Sequence, residues 1–267
     1  MSNNYNRHGE VRAKKSLGQH FLKDMQIAQD IAAAALETGA KSNLLEIGPG
    51  MGVLTQFLIN QPDVNLKVVE IDGESVEYLR KKFGFTEENL IEGDFLKLDM
   101  QSIFGEPFAI VGNFPYNISS QILFKAIENR QLIRALTGMY QKEVARRVVS
   151  PPGSKEYGII SVFCQAWYRC EYLFTVDEHV FTPPPKVKSG VIRLIRNEVE
   201  DLGCNEKHFI RTVKAAFNQR RKTLRNAISG LDFDHNEHSL ALLGKRAEQL
   251  GVEEFVLLAS RIIEKSE

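Results

Sequence analysis

Short apolar segments alternate with helical segments through much of the chain, and this alternation constrains the fold more strongly than any other feature. NLLEI (43–47), LKVVEID (66–72), NLIEGD and FAIVGN are predicted strands, and QLIRALTGMYQ contains a fifth. Helical patterns such as ESVEYLRKKF and ISSQILFKAI lie between them. Such alternation is typical of a parallel sheet covered by helices on both faces, so we predict an α/β fold.

The pattern changes toward the C-terminus. A further helix follows the loop SPPGSKEYG, and CEYLFTV and SGVIRLI then extend the sheet as a hairpin-type addition. From about residue 200 the sequence indicates short helices without a clear strand. We therefore predict a larger domain over residues 1–199, with a basic N-terminal segment, and a small helical domain over residues 200–267.

Composition excludes several classes of protein. With 43% hydrophobic and 25% charged residues, the chain resembles an ordinary globular protein. It has no apolar run of the roughly 18–20 residues that a membrane span needs, and no signal-peptide pattern. Cys164, Cys170 and Cys204 form no CxxC pair, which argues against a disulfide framework and a zinc site. We expect a cytoplasmic protein that binds neither metal nor membrane.

Charge is balanced overall but unevenly distributed. The sequence has 34 basic and 34 acidic residues, which by itself speaks against a general nucleic-acid binder. Between Glu206 and Asn226, however, seven Lys and Arg residues stand against one Glu, and residues 7–15 and 141–147 form two further basic clusters. Each cluster alone is typical of a solvated helix face. Together they favour one basic face opposite an acidic one.

A glycine-rich loop follows the first predicted strand. In LLEIGPGMGVLT, Gly48 and Gly50 let the backbone turn sharply and approach a ligand closely. Val53 stands where a dinucleotide fingerprint needs its third glycine, which counts against NAD. Glu46 would repel a pyrophosphate group. The loop therefore predicts a ligand without phosphate.

Two acidic residues end the next two strands. Glu70 is placed to accept hydrogen bonds from the ribose hydroxyls of an adenosine, and Asp94 could accept one from an adenine amino group. Taken singly, they could be a solvated strand-end carboxylate and an ordinary turn residue. Together with the glycine loop they describe a nucleoside pocket without a phosphate site. S-adenosylmethionine is the common cofactor of this kind.

The fourth strand ends in the sequence NFPY, which on its own could be a tight turn. Asn113 and the main-chain carbonyl of Phe114 could accept the two N–H bonds of an adenine amine. Pro115 would fix the turn, and Tyr116 would offer a face on which the base stacks. Such a site needs no catalytic base, because positioning and hydrogen bonds that strengthen in the transition state would carry the reaction.

The NFPY sequence is similar to the [N/D]-P-P-[Y/F] signature of amino-methyltransferases, and more closely to the N-L-P-Y of the rRNA adenine dimethyltransferase family. The whole chain resembles the bacterial small-subunit branch of that family. The matching segments are KKSLGQHFLKD (14–24), LLEIGPGMGVLT, VVEID, EGDFLKLD, VGNFPYNIS, QKEVARR, FTPPPKVKSGVIRL (181–194) and AFNQRRKTLRN (216–226).

This resemblance implies a class I S-adenosylmethionine-dependent methyltransferase fold, Rossmann-like, with a mainly parallel sheet, an antiparallel end strand and a small C-terminal helical domain. It implies N6,N6-dimethylation of two adjacent adenosines in a hairpin near the 3′ end of 16S rRNA. The substrate would be an immature small ribosomal subunit, and the basic clusters would form a face for its rRNA. No obligate protein partner is evident, and we expect a monomer.

The resemblance also assigns residues. It places cofactor contacts on His20, Leu22, Gly48, Glu70, Asp94 and Asn113. Phe181 matches the aromatic residue that would sandwich the target base against Tyr116.

This sequence departs from the family pattern at three positions. His20 replaces the commoner Asn, Phe114 replaces Leu, and Tyr140 stands where an aliphatic residue is usual. The rival functions are a 23S rRNA adenine methyltransferase of the resistance type, a DNA adenine methyltransferase, and a non-catalytic ribosome-assembly or transcription factor. The last would tolerate a change at Glu70 or Asn113, and an enzyme would not.

Overall fold

The computed structural model describes residues 11–38, 43–234 and 236–263. Within these ranges the strands are β1 (Phe21–Leu22), β2 (Asn43–Ile47), β3 (Asn65–Glu70), β4 (Leu90–Glu92), β5 (Phe108–Asn113), β6 (Ile133–Gln141), β7 (Tyr168–Val176), β8 (Phe181–Thr182) and β9 (Ser189–Arg196).

The helices of the same ranges alternate with the first strands and then continue alone. They are α1 (Met25–Leu36), α2 (Thr55–Leu58), α3 (Gly73–Phe83), α4 (Gln101–Phe104), α5 (Ser119–Glu128), α6 (Lys142–Val149), α7 (Ile159–Trp167), α8 (Glu206–Asn218), α9 (Leu224–Ala227), α10 (Glu237–Leu242) and α11 (Val252–Ala259). In the described part of the chain, no helix is both long and apolar enough to cross a membrane.

Seven strands form one sheet in the order β4-β3-β2-β5-β6-β9-β7. The pairs from β4 to β6 are parallel, and β9 is antiparallel to β6. The predicted mainly parallel sheet with an antiparallel addition is thus confirmed. The strand order reverses at β2: β3 and β4 lie on one side of it, and β5 and β6 lie on the other. In open sheets ligands bind at such a switch point, outside the carboxyl ends of the strands.

A second, two-stranded sheet was not predicted. β1 and β8 pair antiparallel, with Phe21 opposite Thr182 and Leu22 opposite Phe181. This pairing fixes the segment before α1 to the segment before β9. The helix α1 begins after Asp24, whose carboxylate caps it by accepting hydrogen bonds from the first-turn amides.

The chain divides into two compact units, residues 1–145 with 170–196, and residues 146–169 with 197–267. The C-terminal helices therefore begin a separate unit close to the predicted boundary at 199. Residues 146–169, which the sequence assigned to the larger domain, belong with those helices instead. The reason is packing: Phe163 and Trp167 of α7 lie 5.9 and 5.8 Å from the Phe209 ring of α8, between ring centroids.

Candidate active site

A cavity lies at the carboxyl ends of β2, β3 and β5 within the first unit. Its empty space is about 1020 Å³, part of it open to solvent. Most of the predicted site residues line it: His20, Gly48, Gly50, Glu70, Asp94, Asn113, Phe114, Pro115 and Tyr116. These residues come from five separate segments of the chain.

The glycine loop between β2 and α2 makes the sharp turn that its sequence predicts. Gly50 has a φ of +56°, a conformation that side chains disfavour. A Cβ atom at Gly50 would also lie 2.8 Å from Cε1 of Phe21. A larger residue there would push the ring of Phe21 away from the cavity wall.

Glu70 has a structural role that the sequence did not reveal. Its side chain is 3% exposed, and one carboxylate oxygen accepts a hydrogen bond from the Gly50 amide at 3.0 Å. The other oxygen accepts bonds from the amides of Ile71 and Asp72, both at 2.9 Å. Burial raises the pKa of Glu70, and these backbone bonds oppose that rise. The carboxylate therefore ties the glycine loop to the end of β3 while facing the cavity.

Asp94 is held in a turn at the end of β4. Its carboxylate accepts a hydrogen bond from the Leu96 amide at 3.0 Å. Lys125 of α5 donates to the carbonyl oxygens of Leu96 and Leu98, at 2.9 and 2.7 Å, and so fixes the same turn from the other side. Lys125 is a supporting residue that sequence reasoning missed, since its partners are main-chain atoms.

Glu46 and Leu22 line a smaller adjoining cavity, which shares Gly48 and Asn113 with the larger one. Leu22 is therefore not in the larger cavity where the other predicted cofactor contacts lie. Glu46 is buried and accepts a hydrogen bond of 2.6 Å from the Thr55 hydroxyl. Burial raises the pKa of Glu46 to about 8, so this carboxyl group is largely protonated at neutral pH.

The NFPY turn directs one amide oxygen toward a substrate. The Asn113 side-chain nitrogen donates to the carbonyl oxygen of His20 at 3.0 Å, which leaves the side-chain oxygen as the available acceptor. The hydroxyl groups of Tyr116 and Ser189 share a hydrogen bond of 2.5 Å. Burial raises the pKa of Tyr116, so its hydroxyl stays protonated. Ser189 begins β9 and was not predicted as a site residue.

The segment before β1 covers one side of the cavity. The Lys14 ammonium group forms an ion pair with Asp72 and another with Glu74 at 3.1 Å. His20 Nδ1 donates to the Pro183 carbonyl oxygen at 2.8 Å, and the His20 ring stacks on Tyr116 with centroids 5.6 Å apart. The basic cluster at 7–15 lies partly outside the described residues, since the structure describes none before residue 11.

Phe181, like Leu22, does not line the larger cavity. Its side chain is 1% exposed and packs in the hydrophobic core with Val176 and Val191. It lies on β8 and does not line the cavity. The ring that stacks on Tyr116 is that of His20. The apolar core holds the Phe181 ring in this structure, and the sandwich of the target base between Phe181 and Tyr116 stays a prediction.

The cavity fits the predicted cofactor. Glu70, Asp94 and Asn113 supply hydrogen-bond acceptors. Gly48 and Gly50 have no side chains, so a ligand can lie close to the main chain there. Among the described residues that line the cavity there is no Lys or Arg, so the cavity lacks the side chains that most often pair with a phosphate group. An adenosine-containing ligand without phosphate suits this donor and acceptor set, as S-adenosylmethionine does.

Comparison with known proteins agrees with this site. The family model for "Ribosomal RNA adenine dimethylase" matches residues 10–264. A ribosomal RNA small subunit methyltransferase A of Bacteroides thetaiotaomicron is 57% identical over 258 residues, which cover 95% of each chain. The protein with the same description in Cytophaga hutchinsonii is 55% identical over 253 residues, 95% of this chain and 98% of the relative.

Solved structures show the same architecture. A dimethyladenosine transferase from Plasmodium falciparum is similar with a TM-score of 0.75 and 26% identity, over 90% of this chain and 96% of that one. The 23S rRNA methyltransferase ErmE is similar with a TM-score of 0.69 and 26% identity, over 91% and 99% of the two chains. With the matching family model and the identity to these relatives, the motifs and the cavity lead to one conclusion: the chain belongs to the ribosomal RNA adenine dimethylase family.

Proposed function

We propose that the protein dimethylates the N6 amino groups of two adjacent adenosines in a hairpin near the 3′ end of 16S rRNA, within an immature small ribosomal subunit in the cytoplasm. It acts as a single chain. The observation that carries the proposal is the Asn113 amide, whose nitrogen is bonded to the His20 carbonyl while its oxygen remains for a substrate amine. The identity to small subunit methyltransferases A supports the choice of substrate.

The residues of the NFPY turn compensate for the weak nucleophile. The N6 lone pair of adenine is delocalised into the ring, so the amine reacts poorly unless it becomes pyramidal. Hydrogen bonds to the Asn113 side-chain oxygen and the Phe114 carbonyl favour that geometry. These bonds strengthen as the nitrogen gains positive charge, so they stabilise the transition state more than the ground state. S-adenosylmethionine, when bound, supplies an electrophilic methyl group.

Glu70 and Asp94 orient the cofactor, and Tyr116 orients the base. The Glu70 carboxylate lies at the end of β3, where it accepts from ribose hydroxyls, and Asp94 lies at the end of β4, where it accepts from the adenine amine of the cofactor. The Tyr116 hydroxyl is fixed by Ser189, so its ring offers a defined surface for stacking. This division of roles makes orientation the main source of rate acceleration.

A basic stripe on α8 supports contact with rRNA. His208, Phe209, Thr212, Val213 and Ala216 form the buried face of this helix. On the exposed side, Lys207, Arg211 and Lys214 recur at positions i, i+4 and i+7, which places them on one face. Such residues contact phosphates and set register without reading sequence. The balanced total charge suits a protein that recognises an assembled particle.

The resistance-type 23S rRNA function is the second candidate, since ErmE has a similar structure. The 26% identity to ErmE is well below the 57% identity to a small subunit methyltransferase A. This difference favours the small subunit as the substrate.

The test is methyl transfer from labelled S-adenosylmethionine to small subunits that lack these methyl groups, beside large subunits and free 16S rRNA. Products are digested to nucleosides and separated. We expect dimethyladenosine from the unmethylated small subunits alone. Asn113→Ala should abolish it, whereas Asn65→Ala, at the opposite end of the sheet, should not.

Other outcomes would change the proposal. Label in large-subunit rRNA would assign the protein to the resistance type. Cofactor binding without transfer to either subunit would indicate a non-catalytic assembly factor. Full activity in Asn113→Ala would remove the amide from the mechanism.

A further inference from the structure

Two of the residues that depart from the family pattern pack against each other. The rings of Phe114 and Tyr140 meet edge to face, with centroids 5.1 Å apart and planes at 61°. Phe114 is 1% exposed and Tyr140 is fully buried. Phe114 belongs to the NFPY turn, whereas Tyr140 lies on the neighbouring strand β6. The two departures from the pattern are therefore one contact in the structure.

A pair of glycines makes room for this contact. Gly112 on β5 and Gly138 on β6 are paired directly across the parallel ladder. A Cβ atom at Gly138 would lie 2.1 Å from Cε2 of Phe114, and one at Gly112 would lie 2.6 Å from its Cε1. The Phe114 ring thus folds back over both glycines. Tyr140 follows Gly138 by two positions, which puts it on the same face of the sheet.

We infer that Tyr140 is a positioning residue for methyl transfer, acting through the side chain of Phe114. This inference rests on the proposed function, in which the Phe114 carbonyl accepts one N–H bond of the target amine. The Phe114 ring is anchored on three sides, by the two glycines and by Tyr140. An anchored ring fixes the backbone that carries the carbonyl and the adjacent Asn113.

The expected consequence is kinetic. Replacing Tyr140 by a smaller aliphatic residue removes one wall of the ring's site, and the Phe114 ring and its backbone can then shift. A misplacement of about 1 Å at reacting groups can lower a rate by about 100-fold. The substitution changes no Lys or Arg residue that is proposed to contact rRNA phosphates, so the affinity for small subunits should not change.

The experiment compares Tyr140→Leu, Tyr140→Phe and Phe108→Leu in full-length protein. Phe108 is a buried aromatic residue at the opposite end of β5, packed on Phe104 and away from the turn, so it controls for general loss of core packing. We expect kcat for small-subunit methylation to fall about tenfold or more in Tyr140→Leu, with KM for subunits unchanged. Tyr140→Phe keeps the ring and should restore most of the rate. Phe108→Leu should lower the melting temperature without a comparable loss of kcat.

A double variant tests the route through Phe114. If Tyr140 acts only by holding that ring, Phe114→Leu with Tyr140→Leu should be no slower than the slower single variant. Additive losses in the double variant, or an equal loss of kcat in Phe108→Leu, would overturn the inference. So would wild-type kcat in Tyr140→Leu. Failure of the proposed function looks different, because the wild-type protein would then leave small subunits unmethylated, or Asn113→Ala would stay active.

Discussion

Replacing Glu70 by Gln tests two roles of this carboxylate, its bonds to the glycine loop and its proposed contact with the cofactor ribose. In the wild-type protein one oxygen accepts from the Gly50 amide, and the other accepts from the amides of Ile71 and Asp72. A Gln side chain has one oxygen and one amide nitrogen of nearly the same shape. If its oxygen keeps the two bonds at the end of β3, its nitrogen faces the Gly50 amide, and two donors then oppose each other.

The size of the effect follows from these bonds. A buried donor left without a partner costs about 1–3 kcal/mol, which lowers the melting temperature of a chain of this length by roughly 2–10 °C. A hydrogen bond to a charged acceptor contributes about 1.5–3 kcal/mol, so losing one to a ribose hydroxyl weakens cofactor binding by about 10- to 150-fold. Both changes should occur together, because Glu70 holds the glycine loop and is also the proposed ribose acceptor.

Calorimetric titration with S-adenosylmethionine and thermal unfolding measure the two effects in the same preparation. Glu92→Gln is the matched control, because Glu92 is an exposed carboxylate at the end of the neighbouring strand β4. It should leave both the dissociation constant and the melting temperature unchanged. A Glu70→Gln variant that melts like the wild type and binds the cofactor with the wild-type affinity would refute this role of Glu70.

The other predictions concern Glu46, Ser189 and the second unit. Burial raises the pKa of Glu46 from 4.5 in the unfolded chain to about 8 in the folded protein. The stability that the protonated carboxyl group contributes is therefore complete below pH 4.5 and is lost as the pH rises through about 8. Between about pH 5 and about pH 9, the melting temperature of Glu46→Gln should rise relative to that of the wild type as the pH rises. A melting-temperature difference that does not change with pH would contradict this. Ser189→Ala removes the hydrogen bond that fixes Tyr116, worth about 1 kcal/mol, and should lower kcat about fivefold, with no added loss when combined with Tyr116→Phe. Phe209→Ala should destabilise the second unit by about 3–5 kcal/mol. The fluorescence of Trp167, the single tryptophan of the chain, should then change at a lower denaturant concentration, and an unchanged transition would show that α7 does not depend on α8.

The fold was largely predictable because most of its strands have a recognisable local sequence pattern. β2 and β5 are short apolar runs bounded by turn residues, and their burial on both faces follows from the parallel sheet that such runs predict. The two-residue strands β1 and β8 have no such signal. Their pairing is decided by tertiary contacts, far apart in sequence, that no local pattern encodes. The grouping of residues 146–169 with the C-terminal helices is likewise set by ring packing and not by a change in composition.

The sequence predicted several of the residues that line the cavity, because their side chains have recognisable chemistry at strand ends. It did not predict which of these residues contact one another. Carboxylates at successive strand ends, such as Glu70, identify a pocket because topology brings those ends together. That Glu70 also bonds the Gly50 amide depends on backbone geometry, which the sequence does not specify. The resemblance assigns Phe181 a contact with the target base, but the sequence did not reveal that its ring is buried in the hydrophobic core. The contact between Phe114 and Tyr140 required the structure, because two separate departures from a pattern do not show that they touch.

The pairing of β1 with β8 has a consequence for how the protein is made. His20 lines the cavity and is bonded to Pro183, 163 positions later in the chain. During synthesis the N-terminal wall of the cavity emerges before β8, so it lacks this strand pairing until β8 has also emerged. A nascent chain that ends before residue 181 therefore has the glycine loop and both acidic strand ends but lacks the β1–β8 pairing and the Pro183 contact of that wall. Tight capture of the cofactor should therefore begin only after residues 181–183 have left the ribosome.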